Sequence, residues 1–241
     1  MKKKITFFIM CLMALLGVTR AQETTITIGE GDASTNVYPI YAHYEYNVSQ
    51  QIYTSEEMNG LSGTITKLEF KNKPGTNKNT RSDMSVYMLN TDMSEFESKV
   101  FVNMTEATLV YGGEVVLDES KEWTSITLTT PFEYDATKNL LLCVVDNSGT
   151  CSSSSKTANN FLIYNDPDLK NRVLYQYNIT KKYDPNGLSS LSNPYRTYKK
   201  NQIQITIESD GTSNSTPAPK NVTASNDKIF VNEEEISKDA E

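Results

Sequence analysis

A single histidine, His43, and a single tryptophan, Trp123, occur in this chain of 241 residues, and that scarcity excludes a good deal of chemistry. Serine–histidine and cysteine–histidine nucleophile systems need an imidazole base, and transition-metal centres gather several imidazole or thiolate ligands. His43 would have to serve alone, among Tyr41, Tyr44 and Tyr46. No glycine-rich phosphate loop and no dinucleotide fingerprint occurs. Basic residues number 23 against 30 acidic ones, which removes the long-range attraction that nucleic acid or an anionic membrane surface requires. Helical periodicity is missing as well: no window sustains apolar residues at three- and four-residue spacing beyond a short turn in "TDMSEFES". Long apolar runs are limited to one, at the start.

That run, Ile5 to Val18, follows Lys2, Lys3 and Lys4 and precedes the small residues Thr19 and Ala21, the pattern of a cleaved export signal over residues 1–21. It is shorter than the ~20 apolar residues of a spanning helix, so no membrane insertion is expected after cleavage. Removal takes away four basic residues and no acid, leaving 19 bases against 30 acids and a net charge of about −11. The expected location is periplasm, cell surface or medium.

Strand signals fill the rest. "TTITIG", "GTITKLEF", "MSVYML", "WTSITLTTPFEY", "NFLIY", "RVLYQY" and "NQIQITIE" are short, rich in β-branched and aromatic residues, and bounded by turn residues. Ile203, Ile205 and Ile207 alternate strictly with Gln and Thr, which predicts a half-buried strand. "NLLLCVVD" is apolar at every position, as a central strand covered on both faces would be. In "TLVYGGEVVL" the pair Gly112 and Gly113 predicts a bulge or tight bend. The expected fold is all-β: an antiparallel β-sandwich over 22–209, of jelly-roll or galactose-binding-like type. Residues 210–221, rich in Pro, Ser, Thr and Asn, form a linker. Residues 222–241 are expected as a flexible acidic tail or the front of a truncated fibronectin-like repeat.

Candidate site residues come in three sets. Tyr38, Tyr41 and Tyr44, in "YPIYAHYEY", and Trp123 offer amphipathic rings for a sugar or a protein partner, although tyrosine is equally at home packed within strands. Asp146 in "DNSG" and Asp166 and Asp168 in "NDPDLKN" are hard oxygen ligands in loops that would suit a structural calcium, and the same motifs are ordinary turn chemistry. No other cofactor is expected. Cys143 and Cys151 flank "VVDNSGT"; if that stretch were a hairpin tip, they would face each other and could bond in an oxidising compartment, and otherwise they are a buried and a loop thiol. A glycosidase would need only two carboxylates, but Glu56 and Glu57 would point to opposite faces of a strand.

The stretch "YNVSQQIYTSEEMNGLSGTITKLEF", followed in order by "VYMLNTDMSEF", "LVYGGEVVL" and "WTSITLTTPFEYDATKNLLLCVVDNSG", resembles the N-terminal β-sandwich module of exported Bacteroidetes surface and adhesin-type proteins, with "TPAPKNVTASN" similar to the entry of a fibronectin type III-like repeat. The resemblance implies a non-catalytic module, with "SQQIYTSEE" a structural signature formed by a strand and its turn. Together with the composition it leads to the expectation of an adhesion or binding module for host glycoprotein or polysaccharide. The alternatives are a ligand-free accessory domain of a surface protein or a carboxylate-based glycoside-acting enzyme.

Overall fold

The computed structural model describes residues 22–209 and three short strands within 222–237; the expected signal segment and the linker at 210–221 lie outside the described residues. Two antiparallel sheets form the body. One orders β1 (Gln22–Ile28), β13 (Ile203–Ser209), β4 (Gly63–Lys71) and β7 (Trp123–Tyr134). The other orders β11 (Tyr195–Thr197), β10 (Val173–Asn178), β3 (Tyr46–Tyr53), β8 (Asn139–Asp146), β5 (Lys78–Thr91) and β6 (Thr108–Asp118).

Take β1, β3 to β8 and β13 as the framework, numbered first to eighth along the chain. One sheet then reads first, eighth, third, sixth and the other second, seventh, fourth, fifth. That interleaving is a jelly roll, with β10 and β11 added as an extra edge beside β3. A small third sheet, β12 (Lys199–Asn201), β9 (Phe161–Asn165) and β2 (Ser34–Thr35), lies alongside. C-terminal to residue 221, β14 (Val222–Ser225), β15 (Lys228–Val231) and β16 (Glu234–Ser237) pair as an antiparallel meander within the stretch expected as an acidic tail or the front of a truncated fibronectin-like repeat.

Alternation decides which side chains enter the core. Ile203, Ile205 and Ile207 of β13 meet Ile26 and Ile28 of β1, Ile65, Leu68 and Phe70 of β4, and Ile126 and Leu128 of β7 in the main cluster. The second sheet contributes Met84, Val86 and Met88 from β5 and Leu140, Leu142 and Val144 from β8. The odd residues of β8, Leu141, Cys143 and Val145, point the other way into a second cluster with Val48, Ile52, Phe96, Phe101, Met104, Tyr183 and Leu188. Strand β8 is therefore covered on both faces, and each of its apolar side chains contributes about 1.5–3 kcal/mol. The cover comes from loops: "TDMSEFES", expected to hold a helical turn, instead runs irregularly and lowers Phe96 into this cluster. Next to Gly113, which has φ +150, the β5–β6 register shifts, a bulge where the double glycine predicted one.

Candidate functional site

The added edge carries tyrosines. On β10, Val173, Tyr175 and Tyr177 leave from one face and Leu174 from the other, into the second cluster. Antiparallel pairing sets Tyr195 of β11 directly opposite Tyr175, with ring centroids 5.1 Å apart and planes 17° from parallel. Tyr177 lies 5.7 Å from Tyr195 at 11°. Segment 36–44 then extends the row: Tyr38 sits 4.9 Å from Tyr175, while Tyr41 and Tyr44 sit 5.0 and 4.3 Å from Tyr177. His43 closes it, 5.6 Å from Tyr44. Seven rings thus form one continuous cluster. Stacking of such rings contributes about 0.5–1.5 kcal/mol per pair beyond burial. Burial and hydrogen bonding to Tyr195 push the Tyr177 phenol up.

Of the three tyrosines expected to be exposed, two are buried and Tyr44 shares the intermediate accessibility of Tyr175 and Tyr177. Tyr38 and Tyr41 are 3% and 8% accessible, because their rings fill the gap between segment 36–44 and the sheet, and the Tyr38 hydroxyl donates to the Lys199 carbonyl at 2.9 Å. Tyr44 is half-buried, and the outer members are Tyr175, Tyr177 and Tyr195, the last 50% exposed. Their signal in the sequence is the alternation Tyr175–Gln176–Tyr177, which by itself indicates only a strand. Trp123 is elsewhere, on the outer face of β7, where the Lys71 ammonium lies 5.4 Å from its ring centre.

A buried ion pair holds the row in place. Arg81, 1% exposed, sets its Nε 2.6 Å from Asp146 Oδ2. The remaining guanidinium N–H groups donate to the carbonyls of Thr150 at 2.7 Å and Tyr44 at 3.0 Å. One side chain of β5 therefore ties segment 41–45 and the loop after β8 to the sheet. Ser152 N–H adds a bond to the Ala42 carbonyl at 2.7 Å, and His43 Nδ1 lies 3.3 Å from the Ser152 carbonyl.

A second polar centre accounts for "SQQIYTSEE". Thr54 and Glu57 bond each other's backbone N–H groups, Glu57 Oε2 accepting from Thr54 N–H at 2.8 Å and Thr54 Oγ1 from Glu57 N–H at 3.2 Å, a reciprocal cap that shapes the turn after β3. Glu57 then receives Lys200 Nζ at 2.6 Å on each oxygen and the Tyr164 hydroxyl at 2.6 Å. Lys200 Nζ is also 3.2 Å from Asp166 Oδ2, on which Arg172 donates as well. Gln51 and Tyr53 secure the neighbouring strand, Gln51 Nε2 donating to Asn201 Oδ1 at 2.6 Å and the Tyr53 hydroxyl to the Asn201 carbonyl at 3.0 Å. Burial lowers the Lys200 ammonium below its ordinary value, against the pull of Glu57 and Asp166. Burial of Asp166 works toward the neutral acid, and Lys200 and Arg172 outweigh it, holding the carboxyl low.

These contacts bear on two expectations. Asp146 and Asp166 face guanidinium and ammonium groups, so their charge is already compensated, and Asp168 pairs with Arg172 at 3.1 Å. Among the described residues no three of His, Cys, Asp and Glu gather as a metal site. The disulfide fails with its hairpin: β8 pairs with β3 and β5, the chain leaves the sheet after Asp146, and Cys143 is buried while Cys151 is exposed, both free. Glu56 and Glu57 sit in a turn, not a strand.

Fold and site together define a jelly-roll sandwich with an aromatic face on its added edge. No family model matches the chain, and no curated protein matches it. Among solved structures, the cysteine protease and lectin-like domains of a surface-layer-associated protein of Clostridium difficile align over 75% of this chain and 37% of that one, with 12% identity and a TM-score of 0.29. The chain thus spans about a third of that protein's length. No described helix is long and apolar enough to cross a membrane.

Proposed function

We propose that this protein is an exported, non-catalytic binding module that contacts extracellular glycan, as polysaccharide or on host glycoprotein, through the row formed by Tyr44, Tyr175, Tyr177 and Tyr195. The observation that carries the reading is the row itself: amphipathic rings in mutual contact, held by buried Tyr38 and Tyr41 from below and ending in a half-exposed Tyr195. Such rings combine apolar area with hydroxyl donors and lose little side-chain freedom on binding, which suits a ligand whose faces alternate C–H and O–H groups. The acidic charge favours a neutral or basic ligand over a polyanion. Among the described residues His43, the one imidazole, has the Ser152 carbonyl as its hydrogen-bond partner and no acid or nucleophile bonded to it, which supports a non-enzymatic role.

A glycan array run beside a serum-glycoprotein pull-down tests this. Tyr195→Ala should lower affinity about twofold to tenfold, the equivalent of one aromatic contact, and Tyr177→Ala with Tyr195→Ala should abolish binding. Tyr195 lies on a three-residue edge strand, so the single variant should melt like the parent. Failure of the parent to bind any glycan or glycoprotein would favour the ligand-free accessory domain. Binding unchanged in the double variant would move the site off this face.

A further inference from the structure

Lys200 is wholly buried, yet no part of the proposed binding role uses it. Its Nζ is in contact with two carboxylates from distant parts of the chain, Glu57 at 2.6 Å and Asp166 at 3.2 Å. The rings of Tyr53 and Tyr164 flank the ammonium, their centres 5.2 and 5.3 Å away, so bulk water does not reach the amine. A sequestered amine, an acid within bonding reach and a second acid placed to move protons are the components of a condensation.

We propose that Lys200 and Asp166 join in an isopeptide bond that forms within the folded chain, with Glu57 as the proton carrier. Glu57 takes one proton from the Lys200 ammonium and Asp166, also in contact with that nitrogen, is protonated in turn, so that the free amine attacks Cγ of the neutral acid. The new C–N bond replaces one carboxyl C–O bond, and that oxygen leaves as water with the two protons the nitrogen gives up. Ammonium and carboxylate thus become a neutral amide plus water, with no oxidant, reductant or activating group required.

Both oxygens of Asp166 are met by donors: Arg172 and Lys200 at Oδ2, and the backbone N–H groups of Asp168 and Lys170 at Oδ1, at 3.0 and 3.3 Å. Whichever oxygen remains in the tetrahedral intermediate has its charge held. Arg172 also stabilises the starting carboxylate, which slows attack, but the bond need form only once per molecule. Groups fixed in this way reach effective molarities of about 10⁵ to 10⁸ M, which offsets the preference of dilute water for hydrolysis. The bond would close covalently the stretch that carries β10 and β11, and with them Tyr175, Tyr177 and Tyr195.

Intact-mass spectrometry of the folded wild-type chain, with its N-terminus established by peptide mapping, reads the result directly. The bond predicts a mass lower than the sequence by one water and a branched tryptic peptide joining the Lys200 and Asp166 segments. Lys200→Arg and Glu57→Gln should show the full mass and separate peptides. A wild-type chain at full mass in a monodisperse, cooperatively melting sample overturns the proposal. So does a water loss that maps to other residues or persists in Lys200→Arg. Because the wild-type protein is the primary sample, a variant that fails to fold does not obscure the outcome, and the result is independent of whether any glycan binds.

Discussion

Cys143 and Cys151 show at the residue scale how burial divides two side chains that local spacing would have joined. Cys143 lies opposite Gln50 and Tyr87 on the neighbouring strands, fully buried, and burial pushes its thiol up to about 12. Of the two described cysteines, Cys151 should therefore react with a thiol-alkylating reagent in the native protein at neutral pH, and Cys143 only after denaturation, as read by peptide mapping. Because the folded thiol ionises at a higher pH than the unfolded one, its contribution to stability is complete below the ordinary thiol value near 8.5. It is lost as the pH rises toward about 12. The reversal at Tyr38 and Tyr41 has the same origin: irregular local sequence suggests exposure, but irregular backbone can lie over a sheet and bury its rings.

Among elements, β8 and the segment tied to it matter most. An unbroken apolar run marks β8 as central, and it is, because the jelly-roll order gives it neighbours on both edges and the loops cover its outer face. The loops themselves are not legible in the sequence, since their anchors come from elsewhere: Arg81, on a strand with no alternation unusual enough to mark it, fixes segment 41–45 and the loop at 147–150 through Asp146, Tyr44 and Thr150. Arg81→Ala leaves the Asp146 carboxylate buried without its counter-charge, and should cost about 3–5 kcal/mol in urea denaturation. Arg81→Met combined with Asp146→Leu removes both charges and should recover a large part of that loss. If the single variant were as stable as the parent, the clamp would not be what holds the tyrosine row.

For the whole molecule, composition predicts a division between a packed body and the polar segment C-terminal to it. The body, residues 22–209, contains the jelly roll and its hydrophobic clusters, while residues 210–221 are small, polar and proline-bearing. Limited proteolysis should cut first within 210–221 and leave a resistant fragment that begins near Gln22, seen by mass spectrometry. Early cutting within 61–145 would contradict the sandwich, because that span supplies β4 to β7 and most of β8.

Strand content, the two-sided burial of β8, the bulge at the double glycine and the turn in "SQQIYTSEE" were determined by the sequence itself, because period, β-branching and turn chemistry are local properties that a short window contains. Tertiary structure alone decided the strand order, the aromatic row and the Lys200 centre. Tyr38, Tyr175 and Tyr195 meet only because β10 and β11 extend the sheet beyond the framework. Glu57, Asp166 and Lys200 meet only because β9 and β12 pair beside the end of β3. Contacts between residues far apart in the chain are stabilised by burial shared among elements, and no single segment of sequence records them.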